Sequence, residues 1–175
     1  RQMCIRDRYI SEIVDDFNIM NPIDYCNNPT VNLITHRYYE ICKKNNINFT
    51  ISIKNANIDF IKEHDITALL DNLLENAVES ALMTNEKFID FSISTRNSNF
   101  VIIKISNSCN KKPKYIDGTL VSSKSTSGMH GIGTRSIKRV VEKYNGNLEM
   151  KFDNDTKTFT SVIGINSNLP SNNQS

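Results

Sequence analysis

The stretch Asp65–Met83, DITALLDNLLENAVESALM, limits what this chain can fold into more than any other. Apolar residues recur at Ile66, Leu69, Leu70, Leu73, Leu74, Ala77, Val78, Ala81 and Leu82. That spacing predicts one long helix with a wide face to bury. Asp65 is expected at the N-cap, its carboxylate accepting from the free N–H groups of the first turn. Asn72 and Asn76 fall one turn apart on one side of the helix. Asn is a mediocre helix former because its amide competes for local backbone bonds. Two readings are open for such a pair. The amides occupy a partly solvated edge or cap a neighbouring loop. Alternatively their oxygens serve a hard cation such as Mg²⁺, which keeps several waters and reaches phosphates.

Other periodicities surround this helix with strands. Ile47–Ile53 alternates apolar and polar residues and predicts a strand, with Asn57–Lys62 a short second one. Phe88–Thr95 and Phe100–Asn107 read as a hairpin across Arg96–Asn99, and Asn147–Phe152 and Thr158–Ile165 as another across Asp153–Lys157. Thr30–Lys44 is a helix, with Val31, Ile34, Tyr38 and Ile41 on one face and Asn45 and Asn46 ending it. Ile132–Tyr144 is a third helix, with Gly146 in the position of a C′ glycine. Tyr9–Met20 carries Ile10, Ile13, Val14 and Phe17 at helical spacing, the tail of an upstream helix, and Asn21–Pro29 breaks it. The string MCIRDR within Arg1–Arg8 resembles a translated adaptor scar and is left out of the fold. The tail from Asn166 is expected to fray. This order gives an α/β two-layer sandwich, helices on one face of a mixed, mostly antiparallel sheet, and not a doubly wound fold.

Composition removes several classes of function. With 175 residues, 38% of them hydrophobic, the chain suits one domain with a real core. A net charge of +2 gives no argument for nucleic acid or an anionic membrane. Cys4, Cys26, Cys42 and Cys109 form no CxxC pair, which favours a reducing compartment over zinc or disulfides. No apolar run approaches the roughly 18 residues of a spanning helix. There is no GxxxxGK[ST] loop, and Ser136 stands where a third glycine would complete GxGxxG after Gly131 and Gly133.

One further motif carries chemistry. GMHGIGTRSIKRVV (Gly128–Val141) is a glycine-rich loop running into a helix. Its glycines either serve turns alone or bring N–H groups close to an anion, aided by the unpaired donors and partial positive charge of the helix start. Before it, Cys109–Gly131 is a long polar loop bearing lysines, of the kind that is functional or disordered.

The N-rich helix, a strand ending ISNSC, a long polar loop, a glycine-rich helix start and a closing TFTSVIGI strand come in one order. That order resembles the GHKL superfamily of ATP-binding domains (gyrase, heat-shock chaperone, histidine kinase and mismatch-repair ATPases). DNLLENAVESA looks like its N box and HGIGTRSIKRVVEKYNG like its second glycine box. With NNPTVNLITHRYYEICKKNNI ahead of the first strand, the chain is most similar to peptide-pheromone and citrate- or sporulation-type sensor histidine kinases. The match covers residues 28–165.

The resemblance implies ATP and Mg²⁺ as ligands. Asn76 matches the residue that holds Mg²⁺ against the phosphates. Asn72 falls where gyrase-like ATPases carry a catalytic glutamate. Asn107 falls where an aspartate usually receives the adenine amino group. Gly131 and Gly133 match glycines whose N–H groups touch phosphate, and Cys109–His130 matches the mobile ATP lid. Lys124 is a lid cation that can reach phosphate, and His130 a hinge contact. The implied whole is a homodimeric kinase, membrane-attached through an upstream part, with this domain in the cytoplasm. Residues 9–27 would be the end of its dimerisation helix and a linker. Its partners would be the phospho-acceptor histidine helix of the same kinase and a response regulator, with no nucleic acid.

Three departures bear on activity. The usual DxGxG reads NSCNK here, a neutral acceptor in place of a charged one, for an expected loss of about tenfold in affinity. Glu79 and Ser80 stand where many kinases carry a lysine. Asn72 offers no base for water, which matters less for transfer to an imidazole that already has a lone pair. None of His36, His64 and His130 matches the acceptor, which the family carries on the upstream helix. Two alternatives share this fold: a pseudokinase that holds nucleotide without transfer, and an anti-sigma-type serine kinase. An ATPase coupled to DNA or chaperone work fits less well, because a glutamate at position 72 is missing.

Overall fold

A computed structural model describes residues 25–111, 114–116, 119–121 and 132–168. In chain order the elements are α1 (Pro29–Lys44), β1 (Asn48–Lys54), α2 (Glu63–Leu82), β2 (Phe88–Arg96), β3 (Phe100–Ser108), β4 (Lys114–Ile116), β5 (Thr119–Val121), α3 (Ile132–Lys143), β6 (Asn147–Asp153) and β7 (Thr158–Asn166). Five strands form one sheet in the order β1-β2-β3-β7-β6, and β4 and β5 form a separate two-stranded pair. β1 and β2 are parallel, while every other pair is antiparallel. Parallel neighbours need a long crossover, and α2 is that crossover.

The inward row of the sheet is apolar: Ile89, Phe91 and Ile93 on β2, Val101, Ile103 and Ile105 on β3, Ile163 and Ile165 on β7. It meets the buried stripe of α2 and Ile137, Val140 and Val141 of α3 in one core. Each fully buried Leu of α2 contributes about 1.5–3 kcal/mol, enough to outweigh the poor helix propensity of its two Asn residues. The opposite face is solvated, with Thr50, Asp90, Lys104, Glu149 and Lys151 exposed. Among the described residues no helix is long and apolar enough to cross a membrane.

Four expectations change in detail. α2 begins at Glu63 with Lys62 as N-cap, so Asp65 lies inside the first turn and does not cap it. Its carboxylate turns to α3 instead: Lys143 Nζ donates to Oδ2 at 2.6 Å and the Tyr144 hydroxyl at 2.7 Å. The Tyr144 oxygen in turn accepts the Lys62 N–H at 3.0 Å, so the start of α2 is capped from across the fold. Antiparallel packing places the carboxylate at the positive end of one helix and the ammonium at the negative end of the other, so both helix dipoles favour the pair.

Residues 57–62 form no strand and hold a turn at Asp59 and Phe60. Ile58 and Ile61 bury three apart, joined by an Ile61 N–H to Ile58 carbonyl bond of 2.9 Å, because the chain must reverse between β1 and α2.

The left-handed residue after α3 is Asn145 (φ 51°), not Gly146. Gly146 N–H reaches the Val141 carbonyl at 2.8 Å and Asn145 N–H the Glu142 carbonyl at 3.1 Å, a Schellman closure with Asn at C′. Gly146 is needed for room: a Cβ there would stand 2.9 Å from the Gly164 carbonyl oxygen. Asn46 (φ 54°) closes α1 in the same way.

Asn166 is the last residue of β7, paired with Phe100, and Ser167 N–H bonds the Asn99 carbonyl at 2.8 Å, so order extends past the expected end of the domain. The readings of residues 1–24 as scar and upstream helix, and of the tail from residue 169, lie outside the described residues.

Candidate nucleotide site

The site forms where α2 and α3 face each other. Asn72 is half-buried on α2, and its Nδ2 donates to the Ala68 carbonyl at 2.6 Å. That bond commits the amide nitrogen and leaves Oδ1 facing the start of α3. Gly133, in the first turn of α3, lies directly against it: a Cβ on Gly133 would stand 2.8 Å from Asn72 Oδ1. Any larger residue here would have to displace the end of the Asn72 side chain. Asn72 and Gly133, two of the candidate site residues, are thus brought together, and the first turn of α3, whose N–H groups have no acceptor within their own helix, faces the middle of α2. Asn76 follows one turn along α2 and is exposed.

Asn107 continues the inward row of Val101, Ile103 and Ile105 on β3, 3% exposed. Its Nδ2 donates to the Ser108 carbonyl at 2.9 Å, which fixes the remaining oxygen as an acceptor. The four residues Ser106, Asn107, Ser108 and Cys109 are all buried, so this end of the sheet is covered on both faces. Ser106 Oγ meets Thr160 Oγ1 at 3.0 Å. Ser108 Oγ meets buried Thr84 Oγ1 at 2.9 Å and accepts the Phe88 N–H at 3.3 Å. Thr84 and Ser108 escape a sequence reading, although a polar run ending an apolar strand marks the place. Lys124, His130 and Gly131 lie outside the described residues, as does most of the expected lid; of that lid β4 and β5 form a short antiparallel pair.

The far end of the helix pair is pinned by Asp65. Burial alone would raise its carboxyl, but hydrogen bonds from Lys143 and Tyr144 and the Lys143 charge outweigh that and hold it below its ordinary value. Burial first, and then the Asp65 carboxylate, push the Tyr144 hydroxyl up to about 12. Sequence spacing gave no sign of this pin, because Asp65 and Lys143 are 78 residues apart.

Among the described residues no cluster of three or more His, Cys, Asp or Glu side chains could hold a metal. Amide oxygens, with water and a bound ligand's own oxygens, are a donor set that suits Mg²⁺. The exposed amide of Asn76, one turn from the oriented Asn72, fits that requirement.

The start of α3, its Gly133 set against the Asn72 amide of α2, is an arrangement suited to an anion. The family model described as "GHKL domain" matches residues 61–165, and the chain belongs to that family. The "Probable C4-dicarboxylate sensor kinase" of Bacillus subtilis (strain 168) is 29% identical over 112 residues, covering 60% of this chain. The match spans only 20% of that protein's length. A solved catalytic domain of histidine kinase ThkA superposes with a TM-score of 0.61 at 17% identity, over 81% of this chain and 92% of that one. The mycobacterial sensor histidine kinase MprB gives 0.58 at 14% identity, over 78% and 95%. The fold is therefore that of histidine kinase catalytic domains.

Proposed function

We propose that this chain is the ATP-binding catalytic domain of a sensor histidine kinase, transferring the γ-phosphoryl group of ATP to a histidine on a separate upstream helix. The observation that carries this is the close approach of Gly133 to Asn72. It holds the N-terminus of α3 where its N–H groups and positive dipole end can receive phosphate oxygens. By the family resemblance, Gly131 would add an N–H for phosphate, Lys124 a lid charge and His130 a hinge contact. Asn107 accepts from the adenine amino group with its fixed oxygen. Asn76 would hold Mg²⁺, which neutralises phosphate charge when bound. Asn72 contributes orientation and no base, so bound ATP persists until an imidazole attacks the γ-phosphorus and ADP leaves.

The B. subtilis relative supports a whole protein that is a sensor kinase. By that analogy the partners are the acceptor helix of the same kinase and a response regulator. The whole protein is a homodimer attached to the membrane upstream of a cytoplasmic catalytic domain. The neutral Asn107 favours one alternative, a pseudokinase that holds nucleotide without transfer. Calorimetry with a non-hydrolysable ATP analogue tests the binding step. Affinity should rise with Mg²⁺, and Asn76→Ala should abolish that rise in a folded domain. Equal Mg²⁺ dependence in the variant would remove Asn76 from the site.

A further inference from the structure

The first turns of α1 grip the chain that leads into them through one side chain. Asn32, 6% exposed, accepts at Oδ1 from the backbone N–H groups of Tyr25 at 3.1 Å and Cys26 at 3.0 Å. Its Nδ2 donates to the Cys26 carbonyl at 2.7 Å. A side-chain amide has the donor and acceptor of a peptide unit, so Asn32 does for residues 25 and 26 what a neighbouring strand would do. The Cys26 sulfur lies 3.6 Å from the same Oδ1. Asn28 fixes the next point along: its Oδ1 caps α1 through the Val31 N–H at 3.1 Å, and its Nδ2 reaches Asp59 at 3.1 Å.

Helix formation does not call for this arrangement. Asn28 already supplies the cap, and Asn is a poor choice for a buried position in a helix. The desolvated amide is compensated by bonds to the incoming chain. What results is a fixed direction in which that chain meets the domain. The direction reaches the site through α1. Arg37 pairs with Asp71, and the Tyr38 hydroxyl donates to the Asp71 carbonyl at 3.1 Å, next to Asn72.

We infer that Asn32 is a positioning residue for phosphoryl transfer, the joint that orients the nucleotide site toward an acceptor helix lying upstream in the same chain. This rests on the proposed kinase reading. A joint held by a buried amide keeps the acceptor at high effective concentration, where a loose linker would dilute it. Asn32 touches neither nucleotide nor metal in this arrangement, so its effect is confined to transfer within one protein.

Two variants separate that role from a merely structural one. Asn32→Leu keeps buried volume and removes every amide bond. Asn32→Asp keeps an acceptor for the two N–H groups and loses the donor. In this domain, Asn32→Leu should expose the Tyr25 and Cys26 amides to hydrogen exchange. It should also speed alkylation of Cys26, while buried Cys42 and Cys109 stay slow. Mg–ATP affinity and melting midpoint should not move. In the full-length kinase, autophosphorylation should fall about tenfold at unchanged KM for ATP, with Asn32→Asp in between. Transfer in trans to a separate acceptor hairpin should be unaffected. An unchanged autophosphorylation rate in Asn32→Leu, with Mg–ATP still bound, overturns the role of Asn32 and leaves the kinase reading standing. Equal losses in cis and in trans with weaker ATP binding overturn it too, by making Asn32 a stability residue. Failure of the unaltered domain to bind Mg–ATP overturns the kinase reading itself.

Discussion

Gly133 stands so close to Asn72 that a single added methyl group would lie 2.8 Å from the Asn72 amide oxygen. The neighbour is the end of a side chain and not backbone, so the site yields by turning Asn72 away from the Ala68 carbonyl. Gly133→Ala should therefore weaken ATP binding about tenfold and cost about 1 kcal/mol of stability. Adding Asn72→Ala removes the clash, so the double variant should recover part of the stability that Gly133→Ala lost. Additive losses in denaturant melts of the four proteins would show that the two residues do not touch.

The Asp65 pin predicts a pH dependence of stability. Its carboxyl is held below the ordinary 3.8 in the folded state. A group with a depressed folded value adds stability that is fully present above its unfolded value and is lost as pH falls through the folded one. Asp65→Asn should cost about 2 kcal/mol at neutral pH, in the range for hydrogen bonds to a charged group. The gap to the unaltered domain should narrow below a pH of about 4, where the unaltered domain begins to lose the same contribution. Urea melts across that range measure it; a gap constant with pH would remove the charge from the explanation.

Asn107 offers a gain-of-affinity test. Its Nδ2 is tied to the Ser108 carbonyl, so only a neutral oxygen remains for the adenine amino group. Asn107→Asp supplies a charged acceptor and should tighten ATP binding about tenfold. Asn107→Leu should weaken it by at least as much. Unchanged affinity in both, by calorimetry, would place the base elsewhere.

The lid can be followed by proteolysis. Cys109–His130 contains Lys111, Lys112, Lys114 and Lys124 in a polar stretch with few apolar anchors. Trypsin should cut there before it cuts the helices, and saturating ATP should slow that cut several-fold. Equal rates with and without nucleotide would argue against a lid.

The parts legible in the sequence are those that local patterning specifies. The α2 stripe, both hairpins and the α3 start all follow from period and turn chemistry. What was hidden depends on distant partners. Asp65 reads as a cap because the first turn of a helix attracts carboxylates, yet Lys143 and Tyr144 take it. Residues 57–62 mimic a strand because Ile58 and Phe60 alternate with polar neighbours, but Ile58 and Ile61 are what the core buries. Gly146 looks like the left-handed residue because glycine usually is, whereas Asn145 takes that conformation and Gly146 answers a crowding visible only in three dimensions. In the site, Asn72 and Gly133 were each readable as members of motifs, but their contact was not. The grip of Asn32 on residues 25 and 26 left no local signature at all.

Transfer of phosphate tests the central claim most directly. The domain is mixed at high concentration with the acceptor hairpin of its parent kinase and γ-labelled Mg–ATP. Because His36, His64 and His130 do not match the family's acceptor, the domain alone should stay unlabelled. Label should build slowly on the hairpin and be lost in acid but kept in alkali, as for a phosphoramidate. Stable label on the domain alone, or acid-resistant label on the hairpin, would contradict a histidine kinase and favour a serine kinase on the same fold. ATP bound with no label on either partner would favour a pseudokinase.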